Sequence, residues 1–244
     1  LKENKYDENS FFQKYSEMPR SIYGLEGAGE WPALQAILPD FHGCSMLDLG
    51  CGYGWHCKYA ANHGALHVTG IDLSEKMLEI ARKKNADPKI TYRCTAMEDL
   101  SFPAETFDIV FSSLAFHYVR DFDALSQNIR AWLKPGGTLL FSVEHPVFTA
   151  YGSQDWYYDE NGRILHFPVD NYYYEGQRDA VFLGEHVVKY HRTLTTYLET
   201  LLRLGFRLEH VIEPKPPKEL MHLDGMEDEM RRPMMLLIRA RRKI

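Results

Sequence analysis

The sequence predicts a doubly wound α/β domain, a parallel sheet covered by helices on both faces. Three observations carry this. An apolar strand-like run ends in alternate glycines and then turns helical across residues 45–60. Strand and helix patterns go on alternating through residues 66–143, and parallel strands joined by helical crossovers need both faces of the sheet buried. With 244 residues and 45% hydrophobic content, the chain can supply that core.

In chain order, Phe11, Phe12, Tyr15 and Met18 fall at helical spacing, Pro19 interrupts them, and a second amphipathic stretch covers residues 31–38. Residues 45–49 suit a short buried strand. Gly50, Gly52 and Gly54 then provide a turn with positive φ and no Cβ, so a ligand can lie against bare backbone. Strands follow at 66–71, 90–94, 107–112 and 138–143, with helices at 74–84 and 122–133. Lys134-Pro135-Gly136-Gly137 reads as the turn into the fifth strand. After Glu144 the alternation stops. Residues 145–192 are aromatic and turn-rich, and Asn161-Gly162 between Trp156-Tyr157-Tyr158 and Ile164-Leu165-His166-Phe167 is a hairpin signal. A helix at 193–204, closed by Gly205, precedes strands at 206–213 and 234–240, separated by a Pro-rich link and an acidic stretch. The organisation expected is one domain over residues 1–244, with an N-terminal helical cap (1–40) and an inserted β-rich aromatic lid (145–192).

Composition narrows the partners. A net charge of −6 argues against nucleic acid, and Arg231, Arg232, Arg239, Arg241, Arg242 and Lys243 read as solvated flanks of the last strand. No apolar run reaches membrane-spanning length and the start has no signal-peptide core, so a soluble cytoplasmic protein is expected. Cys44, Cys51, Cys57 and Cys94 show no C-x-x-C pairing and read as reduced core thiols. The eleven histidines form no zinc-type spacing, so no metal is expected. Oligomeric state has no signature in the sequence.

A dinucleotide fingerprint would place its third glycine where Trp55 stands. The run Leu47-Asp48-Leu49-Gly50-Cys51-Gly52-Tyr53-Gly54 instead resembles the first motif of the class I S-adenosylmethionine-dependent methyltransferases, and Leu-Lys-Pro-Gly-Gly-Thr-Leu also resembles that family at its place. The resemblance is close over residues 45–144 and loose over 193–240. It implies a Rossmann-like seven-stranded sheet of order 3-2-1-4-5-7-6, its last strand antiparallel, and S-adenosyl-L-methionine as cofactor. It also implies that Asp48, Gly50, Gly52 and Gly54 lie beneath the methionine and ribose portions of that cofactor, with Ser113 and Leu114 toward the methionine amine and methyl group. Asp72, at the carboxyl end of the second strand beside Leu73, can accept hydrogen bonds from both ribose hydroxyls; the competing reading is an N-terminal charge for the following helix. Residues 95–103 resemble the family's adenine loop but carry Ala96 where many relatives have aspartate. Either Glu98 or Asp99 replaces it, or Met97 packs on the ring. Tyr15 and Arg20 are candidates for the methionine end, the arginine for its carboxylate, against core packing and a surface charge.

The function expected from this resemblance is methyl transfer to a small-molecule acceptor by in-line displacement. His117 and His145 are the candidates nearest the acceptor's nucleophile, able to take a proton, against a structural role in holding the lid. Tyr151 and neighbouring lid tyrosines are the candidate acceptor wall, where ring faces would favour a cationic or amine-bearing molecule, against a lid core of their own. An NAD-dependent oxidoreductase and a non-catalytic S-adenosylmethionine-binding regulatory module are the alternatives.

Overall fold

The computed structural model describes residues 4–222 and 224–244. Three short helices open the chain: α1 (Asn9–Ser16), α2 (Pro19–Ile22) and α3 (Trp31–Gln35). Pro19 does more than interrupt a helix. It stands at the first position of α2, where its fixed φ suits helix entry and its missing N–H costs nothing. The alternating region follows as β1 (Ser45–Leu49), α4 (Trp55–Asn62), β2 (His67–Asp72), α5 (Glu75–Lys84), β3 (Ile90–Cys94), β4 (Phe107–Ser113), α6 (Phe122–Trp132) and β5 (Leu133–Glu144). After it come α7 (Pro146–Ala150), a hairpin of β6 (Tyr157–Tyr158) with β7 (Ile164–His166), and a longer hairpin of β8 (Gly176–Phe182) with β9 (Glu185–His191). The chain closes with α8 (Leu194–Arg203), β10 (Phe206–Ile212), α9 (Met226–Glu229) and β11 (Met235–Arg242).

Seven strands form one sheet in the order β10-β11-β5-β4-β1-β2-β3, with β11 antiparallel to both its neighbours. Omitting the two hairpins, this is the expected 3-2-1-4-5-7-6 arrangement. Residue parity sorts the core to the two faces. Leu47, Leu49, Val110, Phe141 and Ile238 pack with α6 and α8 on one side. Met46, Phe111, Leu140 and Leu237 pack with α3, α4 and α5 on the other. The helices begin where side chains satisfy their first amides: Ser74 Oγ accepts from Met77 N, Asp121 from Ala124 N, and Thr193 from Thr196 N.

Two local expectations change. Lys134–Gly137 is not a separate turn but lies inside the long β5, because Leu133 already pairs with Phe107 before the register shifts and Thr138 meets Ile109. Gly136, at φ 77°, absorbs the irregularity. All four cysteines are free, yet only Cys51 and Cys57 are buried; Cys44 is half-buried and Cys94 exposed, at the end of the edge strand β3. Among the described residues, no helix is long and apolar enough to cross a membrane.

Candidate active site

The site is built around the ends of β1, β2 and β4. Gly50 N and Cys51 N both donate to Ile71 O at 2.8 Å, which hangs the glycine turn on the end of β2. Gly50, at φ 78°, allows a close approach: a Cβ there would stand 2.4 Å from Ala115 Cβ. Gly52 differs. At φ 52° its missing Cβ faces nothing nearer than Met77 Cε at 3.5 Å, so its backbone is bare toward the cavity. Asp72 locks this geometry, Oδ2 accepting from Gly52 N at 2.8 Å and Oδ1 from Ser74 N at 2.9 Å. Burial pushes its carboxyl above the usual range, opposed by those two amides.

Beyond β4, Leu114 is held at φ 52°, a left-handed conformation that costs a non-glycine residue roughly 1 kcal/mol. Its N–H donates to Ser142 O at 3.0 Å and lies 3.1 Å from Ser142 Oγ. The facing wall comes from remote segments. Tyr6 packs edge-on against Tyr15 at 5.2 Å, and its hydroxyl lies 3.1 Å from that of Tyr118. Arg20 Nη2 donates to Oε2 of the buried Glu30 at 2.9 Å. Burial alone would weaken the guanidinium's hold on its proton, and the Glu30 carboxylate reverses that.

At the end of β5, Glu144 Oε1 accepts from Lys189 Nζ at 2.5 Å and Oε2 from Gln154 Nε2 at 2.7 Å. Burial would raise the Glu144 carboxyl, but the charge His117 carries when protonated and the Lys189 ammonium outweigh it and hold it below its ordinary range. The Glu144 amide donates to His117 Nδ1 at 3.4 Å. Burial drives His117 down to about 4, so the ring is neutral around pH 7.

These groups enclose a cavity of about 230 Å³. Of the residues singled out in the sequence, Tyr15, Arg20, Gly50, Gly52, Asp72, Leu73, Met97, Glu98, Ser113, Leu114 and His117 line it. Four do not, each for a physical reason. Asp48 lies inside β1 beneath α4, 1% exposed, where it accepts from Cys57 Sγ at 3.3 Å and burial raises it to about 7. Gly54 is glycine because a Cβ would fall 2.2 Å from Tyr92 Oη, so it serves the packing of α4 on β3. His145 caps α7, with Nδ1 accepting from Val147 N at 3.0 Å and Nε2 lying 2.8 Å from Glu213 Oε1. Tyr151 follows α7 at 38% exposure, outside the cavity wall. Asp99 also stands outside the wall, whereas Ala96 and Met97 are in it. His191 is engaged structurally, Nδ1 with Thr149 Oγ1 at 2.7 Å and Nε2 with Tyr172 O at 2.9 Å.

Sequence reasoning passed over Tyr6, Met18, Tyr118, Phe182 and Met234, all in the wall. Tyr118 carried a signal, since it follows His117 directly after β4. Phe182 carried none, because only the pairing of β8 with β9 brings it there. Among the described residues no three His, Cys, Asp or Glu side chains are placed to hold a metal ion.

Residues 47–141 match the methyltransferase domain family. A Listeria monocytogenes protein classed as an S-adenosylmethionine-dependent methyltransferase is 54% identical in structural alignment, with a TM-score of 0.87 over 91% of this chain and 100% of that one. An S-adenosylmethionine-dependent methyltransferase from Mesorhizobium loti is 45% identical, with a TM-score of 0.82 over 90% of this chain and 100% of that one. The ubiquinone biosynthesis O-methyltransferase of Coxiella burnetii is 38% identical over 112 residues, and that match spans 45% of this chain and 47% of the Coxiella protein.

Proposed function

Because the chain belongs to the class I S-adenosylmethionine-dependent methyltransferase family, with S-adenosylmethionine as its cofactor, we propose that it passes a methyl group to a small-molecule acceptor by in-line displacement. The observation that carries this reading is the cavity at the carboxyl edge of the sheet, lined by bare Gly52 backbone, the Asp72 carboxylate and the Arg20 guanidinium. That donor set fits the cofactor: a carboxylate for ribose hydroxyls, a cation for the amino-acid carboxylate, and Leu73, Met97 and Leu114 as apolar surface for a flat ring.

When bound, S-adenosylmethionine supplies a methyl group already activated by its sulfonium, so the chain's own residues have to orient reactants and exclude water. We assign orientation to Gly52, Asp72 and Arg20, with Glu98 at the adenine end. Water exclusion falls to the cap, described from residue 4 to 40, and to 145–192 as a lid, which together with the sheet act as one domain. The cap contributes Tyr6, Tyr15 and Met18 to the wall and the lid contributes Phe182. The two are tied by Lys14 Nζ donating to Leu183 O at 3.0 Å and by Phe11 packing against Phe182 at 5.8 Å. Enclosure on this scale favours a small acceptor over a polymer, and the Coxiella relative is named for an O-methylation in ubiquinone biosynthesis.

Calorimetry with S-adenosylmethionine and NADH, followed by incubation with methyl-labelled S-adenosylmethionine and a metabolite extract, tests this. Binding of S-adenosylmethionine and transfer of label to a small metabolite are expected. Binding of NADH alone, or efficient labelling of intact nucleic acid, would overturn the reading.

A further inference from the structure

Resting on the methyltransferase reading, we infer that His117 meets the methyl acceptor as a hydrogen-bond donor through Nε2, and that the acceptor presents a carboxylate oxygen which needs no proton removed by the protein. The tautomer carries the first half. An amide N–H can only donate, so the bond from Glu144 N to His117 Nδ1 at 3.4 Å leaves Nδ1 unprotonated and puts the neutral ring's proton on Nε2. The ring is 2% exposed yet lines the cavity, and among the described residues Nε2 has no partner within the protein. Its N–H is therefore the ring's free group toward the contents of the cavity. Glu144, Lys189 and Arg192 are the charged groups around the ring; burial first, then Lys189 and Arg192, outweigh the opposing Glu144 carboxylate and keep it neutral down to about pH 4.

The second half follows from what else could take a proton once Asp72 and Glu98, also in the lining, are given to the cofactor. Both Glu144 oxygens are engaged, by Lys189 and Gln154. The Tyr6 hydroxyl is buried against Tyr118 and holds its proton more tightly than a free phenol. An ammonium or alcohol acceptor would have to shed a proton beside groups of this kind, and an ammonium N–H would also face the Nε2–H donor. A carboxylate arrives with its lone pair free and accepts from Nε2–H. The Glu144 charge does not repel it strongly, because Lys189, 2% exposed, neutralises that carboxylate at 2.5 Å. In the step itself the carboxylate oxygen forms the O–CH3 bond while the S–CH3 bond breaks. The electron pair stays on sulfur, a neutral thioether leaves, and no proton is released. The product is a methyl ester.

Two measurements on the full chain test this. The first is long-range 1H–15N spectra of labelled protein with S-adenosylhomocysteine as probe, the His117 signals identified by their absence in His117→Gln. The expected result is a neutral Nε2–H ring across about pH 5.5 to 8; an Nδ1–H ring, or titration within that range, would overturn the donor role. The second is the labelled-methyl incubation with a metabolite extract, followed by mild alkali. Volatile labelled methanol, as from an ester, supports the inference, and alkali-stable label on an amine or ether would overturn the acceptor class. On the alkali-labile acceptor, His117→Gln, which keeps an N–H near Nε2 but cannot serve as a base, should lose about tenfold or less, whereas His117→Phe should lose a hundredfold or more. Equal losses in both, with S-adenosylhomocysteine affinity intact, would restore His117 as a base. A wild-type protein that ignored S-adenosylhomocysteine would sink the methyltransferase reading itself, and calorimetry registers that separately.

Discussion

The wall of the cavity that runs from Gly50 to Leu114 is anchored through its main chain, by bonds such as Gly50 N to Ile71 O, Gly52 N to the Asp72 carboxylate and Leu114 N to Ser142. The facing wall, with Tyr6, Arg20, Phe182 and Met234, is made of side chains delivered by short helices, a hairpin and a strand end. The first is set by residues close to one another on neighbouring strands, and its dimensions cannot change without breaking the sheet. The second is held by scattered contacts such as Arg20 with Glu30 and Lys14 with Leu183. Substitutions in the first wall should thus act steeply, and those in the second by degrees.

The glycine turn offers the sharpest break of that contrast. Gly50→Val forces a Cβ to 2.4 Å from Ala115 Cβ at a φ of 78°, and should prevent folding or lower the melting temperature severely. Gly52→Val, with only Met77 Cε at 3.5 Å, should fold with a penalty of roughly 1–2 kcal/mol but lose cofactor binding, because its side chain enters the cavity. Thermal melts and calorimetry on the pair check this, and cofactor affinity surviving in a folded Gly52→Val would move the site.

Next in size is a pH effect behind the turn. Asp48 is raised to about 7 in the folded protein from 3.8, so between those values the folded state holds a proton that the unfolded state has released. Its contribution favours the folded state at low pH and is lost as pH rises from about 4 to about 7. Asp48→Asn should remove that dependence, narrowing the stability gap between pH 5 and pH 8 by on the order of 3 kcal/mol in denaturant titrations.

A matched pair across the cavity compares the walls directly. Asp72→Ala should weaken S-adenosylmethionine by about 2–3 kcal/mol, the loss of hydrogen bonds to a charged group plus two amides left unpaired. Arg20→Gln should cost about 1–2 kcal/mol of affinity, together with a lowered melting temperature because Glu30, 2% exposed, loses its partner. If Arg20→Gln matched Asp72→Ala in affinity, the two walls would not differ as described.

The smallest effects belong to residues the fold sets outside the cavity. His145→Ala should cost about 1 kcal/mol of stability through the lost cap of α7. Tyr151→Ala should change stability by less than about 0.5 kcal/mol, and neither should alter cofactor affinity measurably. An affinity loss in either would put the lid root back at the site.

The sequence by itself determined the alternating sheet and the glycine turn, because strand-forming runs, Gly50 and Gly52, and an acidic residue at the end of β2 are local signals; the strand order came from the family resemblance those signals carry. Position at or just past the end of β4, read with that resemblance, also marked Ser113, Leu114 and His117, all of which line the cavity. Only the tertiary structure decided what each side chain meets. Asp48 and Asp72 read alike as acidic residues of β1 and β2, and the register puts both on one face of the sheet, but Asp48 lies inside its strand against a core cysteine while Asp72 ends its strand at the cavity. His117 and His145 both lie near strand ends, yet one lines the cavity and the other caps a helix of five residues. Tyr6, Phe182 and Met234 meet there across more than 200 residues of chain. No local pattern encodes such a meeting, because it depends on how separate amphipathic segments pack over one sheet edge.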